Sequence, residues 1–147
     1  MKNKLFYFMP FLLVLASGCL SNKNNAPGPS RPLPEGTFAG PFRLIHKSFK
    51  TGKRDTLKAN INLTLSTTVG FKVTGDTATV HSGSYGDYVA NSTYIQFFDK
   101  TYSSTKQPTK THLTGIYQYF YDGTTFQMLA SGALDTLSLQ YDLKKVN

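Results

Sequence analysis

Three histidines, His46, His81 and His112, are the side chains of this chain best suited to acid–base or metal chemistry. None lies in a pattern that such chemistry needs. A transition-metal site takes several nitrogen, sulfur or carboxylate ligands at structured spacing, and no HxH, HExxH or CxxC occurs. His81 and Asp87 only bracket a glycine-rich turn, and Asp99 follows an apolar run. A serine nucleophile needs a base held beside it and an acid that orients the base. Ser82 and Ser84 flank Gly83 next to His81, yet Ser84-Tyr85-Gly86 is not the Gly-x-Ser-x-Gly elbow. That elbow also requires a strand-to-helix turn, which a strand-only chain lacks. The single cysteine, Cys19, excludes an internal disulfide and any multi-cysteine metal site. The sequence therefore predicts a protein that is not an enzyme, with no metal and no cofactor. Its histidines read as partly exposed polar residues on strands or loops.

Two other sets of residues suit contact rather than catalysis. In the segment 81–88, HSGSYGDY, Gly83 and Gly86 permit close backbone approach, and Tyr85 and Tyr88 supply flat amphipathic surface. With Tyr117, Tyr119 and Tyr121, these tyrosines are candidates for a binding rim at a barrel mouth. The competing reading of 81–88 is a β-bulge or irregular corner packed by one tyrosine. The second set is basic: Arg43, Lys47, Lys50, Lys53, Arg54 and Lys58 stand against one acid, Asp55. They give 43–58 a charge of +5, out of the +6 left when Lys2 and Lys4 are taken from the chain total of +8. Such a loop could meet anionic headgroups, lipopolysaccharide phosphates or an acidic protein; the alternative is a solvated hairpin kept soluble by lysines. Charge alone would also suit nucleic acid, but the N-terminus argues against that partner.

The N-terminus, MKNKLFYFMPFLLVLASGC, has the charged-then-apolar form of an export signal. Its apolar run, Leu5 to Ala16, is too short to span a bilayer as a helix. Leu15-Ala16-Ser17-Gly18-Cys19 resembles the lipobox of bacterial lipoproteins. That resemblance implies cleavage before Cys19 and acylation of it, so residues 1–18 are a signal peptide and the chain is anchored to a lipid bilayer rather than spanning it. Residues 19–35 then form a tether in which Pro27, Pro29, Pro32 and Pro34 prevent any persistent helix or strand. No Asp follows Cys19 directly and no acid lies in Ser21–Asn25. The first absence disfavours inner-membrane retention, the second the usual surface-export signal. The expected location is the cell envelope, in the outer membrane, with the facing side open.

Residues 36–147 show period two and no sustained helical period. Leu57, Ala59, Ile61, Leu63 and Leu65 alternate with polar residues as a half-buried strand should. Similar rows are Val69, Phe71 and Val73, then Ala78 and Val80, then Ile95 and Phe97. On 113–121, Leu113, Gly115 and the three tyrosines share one face and Ile116 and Phe120 the other, which predicts either cover on both sides or a second contact surface beside the strand. Asp122-Gly123 is a strong hairpin signal, and Leu137, Leu139, Tyr141 and Leu143 make a last strand. The expected fold is all-β: an antiparallel meander of about eight strands, closed or nearly closed into a barrel, with a two-sheet sandwich as the competitor.

The domain also resembles small lipocalin-like lipoprotein domains of Bacteroidetes-type bacteria. The likeness rests on Gly36, Phe38, Gly40 and Phe42, on Ser82–Gly86, on Tyr94–Asp99, on Leu113–Tyr119 and on the closing strand Leu137–Leu143. It lacks the Gly-x-Trp signature of true lipocalins. The resemblance implies fold and location more than chemistry. The expected function is a non-enzymatic, membrane-anchored envelope lipoprotein that binds a small apolar ligand. The alternative is a structural or protein-interaction module of the outer membrane. Phe71, Phe97, Phe126, Met128, Leu139 and Tyr141 point inward and could fill the barrel outright.

Overall fold

The computed structural model describes residues 32–146 apart from 104, 106, 107 and 133–135. The expected signal peptide, Cys19 and the expected tether as far as Arg31 lie outside the described residues. The described part is all-β, with no helix. Its strands are β1 (Gly36–Lys47), β2 (Arg54–Ser66), β3 (Gly70–Gly75), β4 (Tyr85–Ala90), β5 (Tyr94–Asp99), β6 (Gly115–Tyr121), β7 (Thr125–Ser131) and β8 (Leu137–Val146). Each pairs antiparallel with the next, and β1 pairs with β8, so the meander closes into an eight-stranded barrel. The sandwich is excluded.

Closure rests on the alternation of the sequence. On β2, Ala59, Ile61, Leu63 and Leu65 are buried and the residues between them are exposed. Phe38 and Phe42 of β1, Phe97 of β5, Tyr117 of β6, Phe126 of β7 and Tyr141 of β8 turn inward to the same core. The β1–β8 ladder runs Thr37–Ala39 and Phe42–His46 and skips Gly40 and Pro41. Proline has no N–H to give it. At the β6–β7 turn the Asp122 carboxylate accepts from the Thr124 and Thr125 amides, at 2.9 and 2.7 Å, and Gly123 adopts φ +103°. Those bonds hold the exposed Asp122 carboxyl down to about 2.

Strand directions give the barrel two unlike ends. One gathers Gly36, the turns 67–69, 91–93 and 122–124, and Val146; Thr67 donates there to Glu35, next to the point where the chain enters β1. The other gathers the loops 48–53 and 76–84, the stretches 100–103 and 108–114, Gly132 and Thr136.

Three expectations fail, each for a local reason. Leu57 is 46% exposed, because β3 pairs with β2 only from Ile61 onward and leaves residues 54–60 outside that pairing. Val69 sits in the turn before β3 and is 84% exposed. Ala78 and Val80 continue no strand: β3 ends at Gly75 and 77–80 are turns, with Val80 packed on the core. Of the two readings of the outer face of β6, cover is not supplied by the described residues: Ile116 and Phe120 face outward and are exposed.

The β3–β4 seam is short and depends on glycine. Only Phe71–Gly86 and Lys72–Tyr85 are paired, extended by the Val73 amide donating to the Ser84 carbonyl. A Cβ on Gly86 would overlap the Phe98 carbonyl oxygen, and one on Gly70 (φ +94°) would overlap that of Gly86. Gly86→Ala is expected to destabilise the barrel by about 1–3 kcal/mol through overpacking. Gly83→Ala should be nearly silent, since its Cβ would meet only the Thr77 side chain at 3.7 Å. Urea denaturation of the two variants tests this; equal midpoints would refute it.

Candidate functional site

The interior is crossed by a chain of aromatic contacts. Phe71 meets Phe97 at 5.0 Å between ring centroids, Phe97 meets Tyr117 at 5.8 Å, Tyr117 meets Tyr141 at 5.6 Å and Tyr141 meets Phe42 at 4.8 Å. Phe38, Tyr121, Phe126 and Tyr119 form a second cluster nearer the end where the chain enters. Edge and tilted geometries of this kind add to the burial of each ring. The inward side chains fill the barrel as packing, the outcome an eight-stranded barrel allows when its residues are large.

One polar thread runs through this core. His81 is fully buried, contrary to the expectation of partial exposure. Its Nδ1 lies 2.7 Å from the Ser82 carbonyl and its Nε2 lies 2.9 Å from the Tyr141 hydroxyl. A carbonyl only accepts, so Nδ1 carries the proton and neutral Nε2 accepts from Tyr141. Burial lowers the His81 pKa and raises that of Tyr141. Tyr117, next along, is pushed up to about 12, chiefly by burial. Its hydroxyl interacts with Tyr141 but, like the buried Ser84 hydroxyl, has no hydrogen bond of good geometry among the described residues. Residues 81–84 are thus the irregular corner, packed by a histidine rather than by a tyrosine.

The five candidate rim tyrosines do not share a surface. Tyr85 points outward and is exposed, whereas Tyr88 is half-buried against the core. Tyr117 is inside the barrel. Tyr119 and Tyr121 donate to the backbone carbonyls of Asn91 and Gly123, at 2.6 and 3.0 Å, and staple two turns. The basic candidates do come together. Arg43 opposes Lys58 and Lys47 opposes Arg54 across the β1–β2 hairpin, with Lys50 and Lys53 in its turn.

A polar cleft of about 330 Å³ beside loop 100–114 is lined by Ser82, Thr101, Ser103, Lys110 and His112 among others. Asp99 orients His112 through Oδ2 and Nδ1 at 2.8 Å and accepts from the Thr101 hydroxyl at 2.6 Å. The pair resembles the acid–base half of a hydrolytic triad, and among the described residues the hydrogen-bond partners of His112 are Asp99 and Thr101, neither a serine. Nor does any group of three His, Cys, Asp or Glu residues suit a metal among the described residues.

The feature that sequence reasoning missed is on the outside. Val89, Ala90, Asn91, Tyr94, Gln96 and Ile116 line an external groove of about 510 Å³ across β4, β5 and β6. Val89 is 58% and Ile116 60% exposed. The signal is present in the outward parity of Ile116 and Phe120, which is compatible with cover or with a second contact surface and does not by itself mark a groove.

Because folded His81 resists protonation, the unfolded chain takes up a proton first as pH falls below about 6.5. Stability is expected to be full above that value and to decline as pH drops toward the lowered pKa of the folded state. His81→Leu should flatten this part of the profile. Denaturant midpoints measured between neutral pH and pH 5 check it, and an unchanged slope in the variant would sink the assignment.

Compared with protein-family models, curated proteins and solved structures, the chain matches none.

Proposed function

We propose that this chain is a non-enzymatic lipoprotein of the bacterial envelope, held to the outer membrane through acylated Cys19. Its barrel binds a small apolar molecule in the external groove at Val89, Tyr94 and Ile116. The groove itself carries the reading. Its volume of about 510 Å³ lies within the range typical of small-molecule sites, and its lining is mostly apolar with two amides, Asn91 and Gln96. The site expected of a lipocalin-like carrier, the barrel interior, is occupied by its own rings. The anchor is supported by the lipobox-like run before the sole cysteine and by a proline-rich tether that gives a lipidated domain clearance from headgroups.

A second reading has its own observation. Exposed apolar side chains continue past the groove at Phe98, Phe120 and Leu129, a broader face suited to a protein partner in the same envelope.

Two outcomes follow. Cys19→Ser should move the protein from the membrane fraction to the soluble one, or leave its precursor uncut; membrane retention with an acyl mass still attached would end the anchor reading. Ile116→Lys should weaken binding of the apolar dye N-phenylnaphthylamine by about tenfold or more, since a charge would enter the apolar groove. If the parent protein does not bind the dye and native mass spectrometry of the cell-extracted form finds no adduct, the groove is no ligand site. Cross-links from Phe98 or Phe120 to one defined envelope protein would then favour the second reading.

A further inference from the structure

The tip of the β1–β2 hairpin combines features that nothing in the fold requires. Phe49 is 84% exposed and meets no other ring among the described residues. It is not on a ragged loop: the Ser48 amide donates to the Lys53 carbonyl at 2.8 Å, the Gly52 amide to the Ser48 carbonyl at 2.9 Å, and Gly52 sits at φ +68°. A closed turn therefore holds an aromatic ring in solvent. Around it stand Lys47, Lys50, Lys53 and Arg54. Lys47 and Arg54 face each other directly across the ladder, an arrangement that is destabilising for like charges. Neither these four cations nor Asp55 enters an ion pair among the described residues. On its β2 side the hairpin runs past β3, which pairs only from Ile61 onward. Residues 48–53 lie beyond the last rung of the β1–β2 ladder, Lys47–Arg54, and the β1 side is held by β8 as far as His46 and by the Lys47 amide donating to the Thr136 carbonyl at 2.8 Å.

We propose that this tip docks on an anionic bilayer, with Phe49 inserted at the headgroup boundary and the four cations around it against lipid phosphates. The shape decides between polyanions. An acidic protein would match a charged surface and leave no place for a ring projecting past it. A nucleic acid would need several stacking rings in a basic groove. A soft surface that is anionic at its face and apolar just beneath accepts one ring ahead of a collar of cations, and lysine stems reach back toward the headgroups. Each Lys or Arg near an anionic leaflet adds a modest attraction, and several together hold a protein at it. The tip is separate from the β4–β6 groove and needs no acyl group on Cys19.

The chain contains no tryptophan, so Phe49→Trp in a Cys19→Ser background installs one reporter at the tip of an unacylated chain. Its emission is expected to shift to the blue with vesicles of phosphatidylcholine and phosphatidylglycerol, and to stay put with phosphatidylcholine alone. Sedimentation of the unacylated Phe49 parent should show the same preference and weaken with salt. Lys50→Gln with Lys53→Gln should lower partitioning about 25-fold, two cations at about fivefold each. Phe49→Ser should lower it about tenfold or more while leaving the charge intact. Ile116→Lys should leave it unchanged, which separates this surface from the groove. Unmoved emission on anionic vesicles, equal binding by Phe49→Ser and parent, or loss of binding in Ile116→Lys would each overturn the proposal.

Discussion

The pairing of the first strand with the last is the constraint on which everything else depends. Phe42 lies opposite Tyr141 in that ladder, and Leu44 opposite Leu139. The rings of Phe42, Tyr141 and His81 meet there. Bringing the two ends of the domain together costs loop-closure entropy, but that cost grows only with the logarithm of the loop. Leaving them apart would expose two strand edges and the faces of several buried rings. Closure also sets the direction of every side chain at once, since a strand has only an inner and an outer face.

That sorting separates structure from function. Large rings point inward, so the interior holds itself together rather than a guest. The polar thread through it, from the Ser82 carbonyl through His81 to Tyr141, is satisfied at its first three members and fades at Tyr117. Buried hydrogen bonds of this kind fix one arrangement of the core. Both surfaces proposed for recognition lie on outward positions: the apolar groove on β4–β6 and the basic, aromatic tip of β1–β2.

The sequence carried parity well and cover poorly. Alternation placed Ile61, Leu63, Leu65, Phe97, Phe126, Met128 and Leu143 inside, and each is buried. It also placed Leu57 and Val69 inside, where they are not. Period two tells which side chains share a face, but whether a neighbouring strand reaches far enough to bury that face depends on register, which no local pattern encodes. The tyrosines went astray for the same reason. Tyr117, Tyr119 and Tyr121 do share a face, but it is the inner one. His81 was misjudged because its partner, Tyr141, is sixty residues away. The basic hairpin was legible because its members are neighbours in the chain and a tight turn keeps them so.

The two ends of the barrel give the surfaces a geometry relative to a membrane. The chain enters at the end that holds the turns 67–69, 91–93 and 122–124, whereas the Phe49 tip belongs to the opposite end. Twelve residues of β1 separate them, roughly 40 Å at about 3.3 Å per residue and less with strand tilt. The proposed tether, residues 20–35, would reach roughly 50 Å when stretched at about 3.1 Å per residue. The acyl group proposed at Cys19 and the ring at position 49 would then be able to meet one bilayer. On those two proposals each contact raises the effective concentration of the other, so a weak tip suffices beside the anchor.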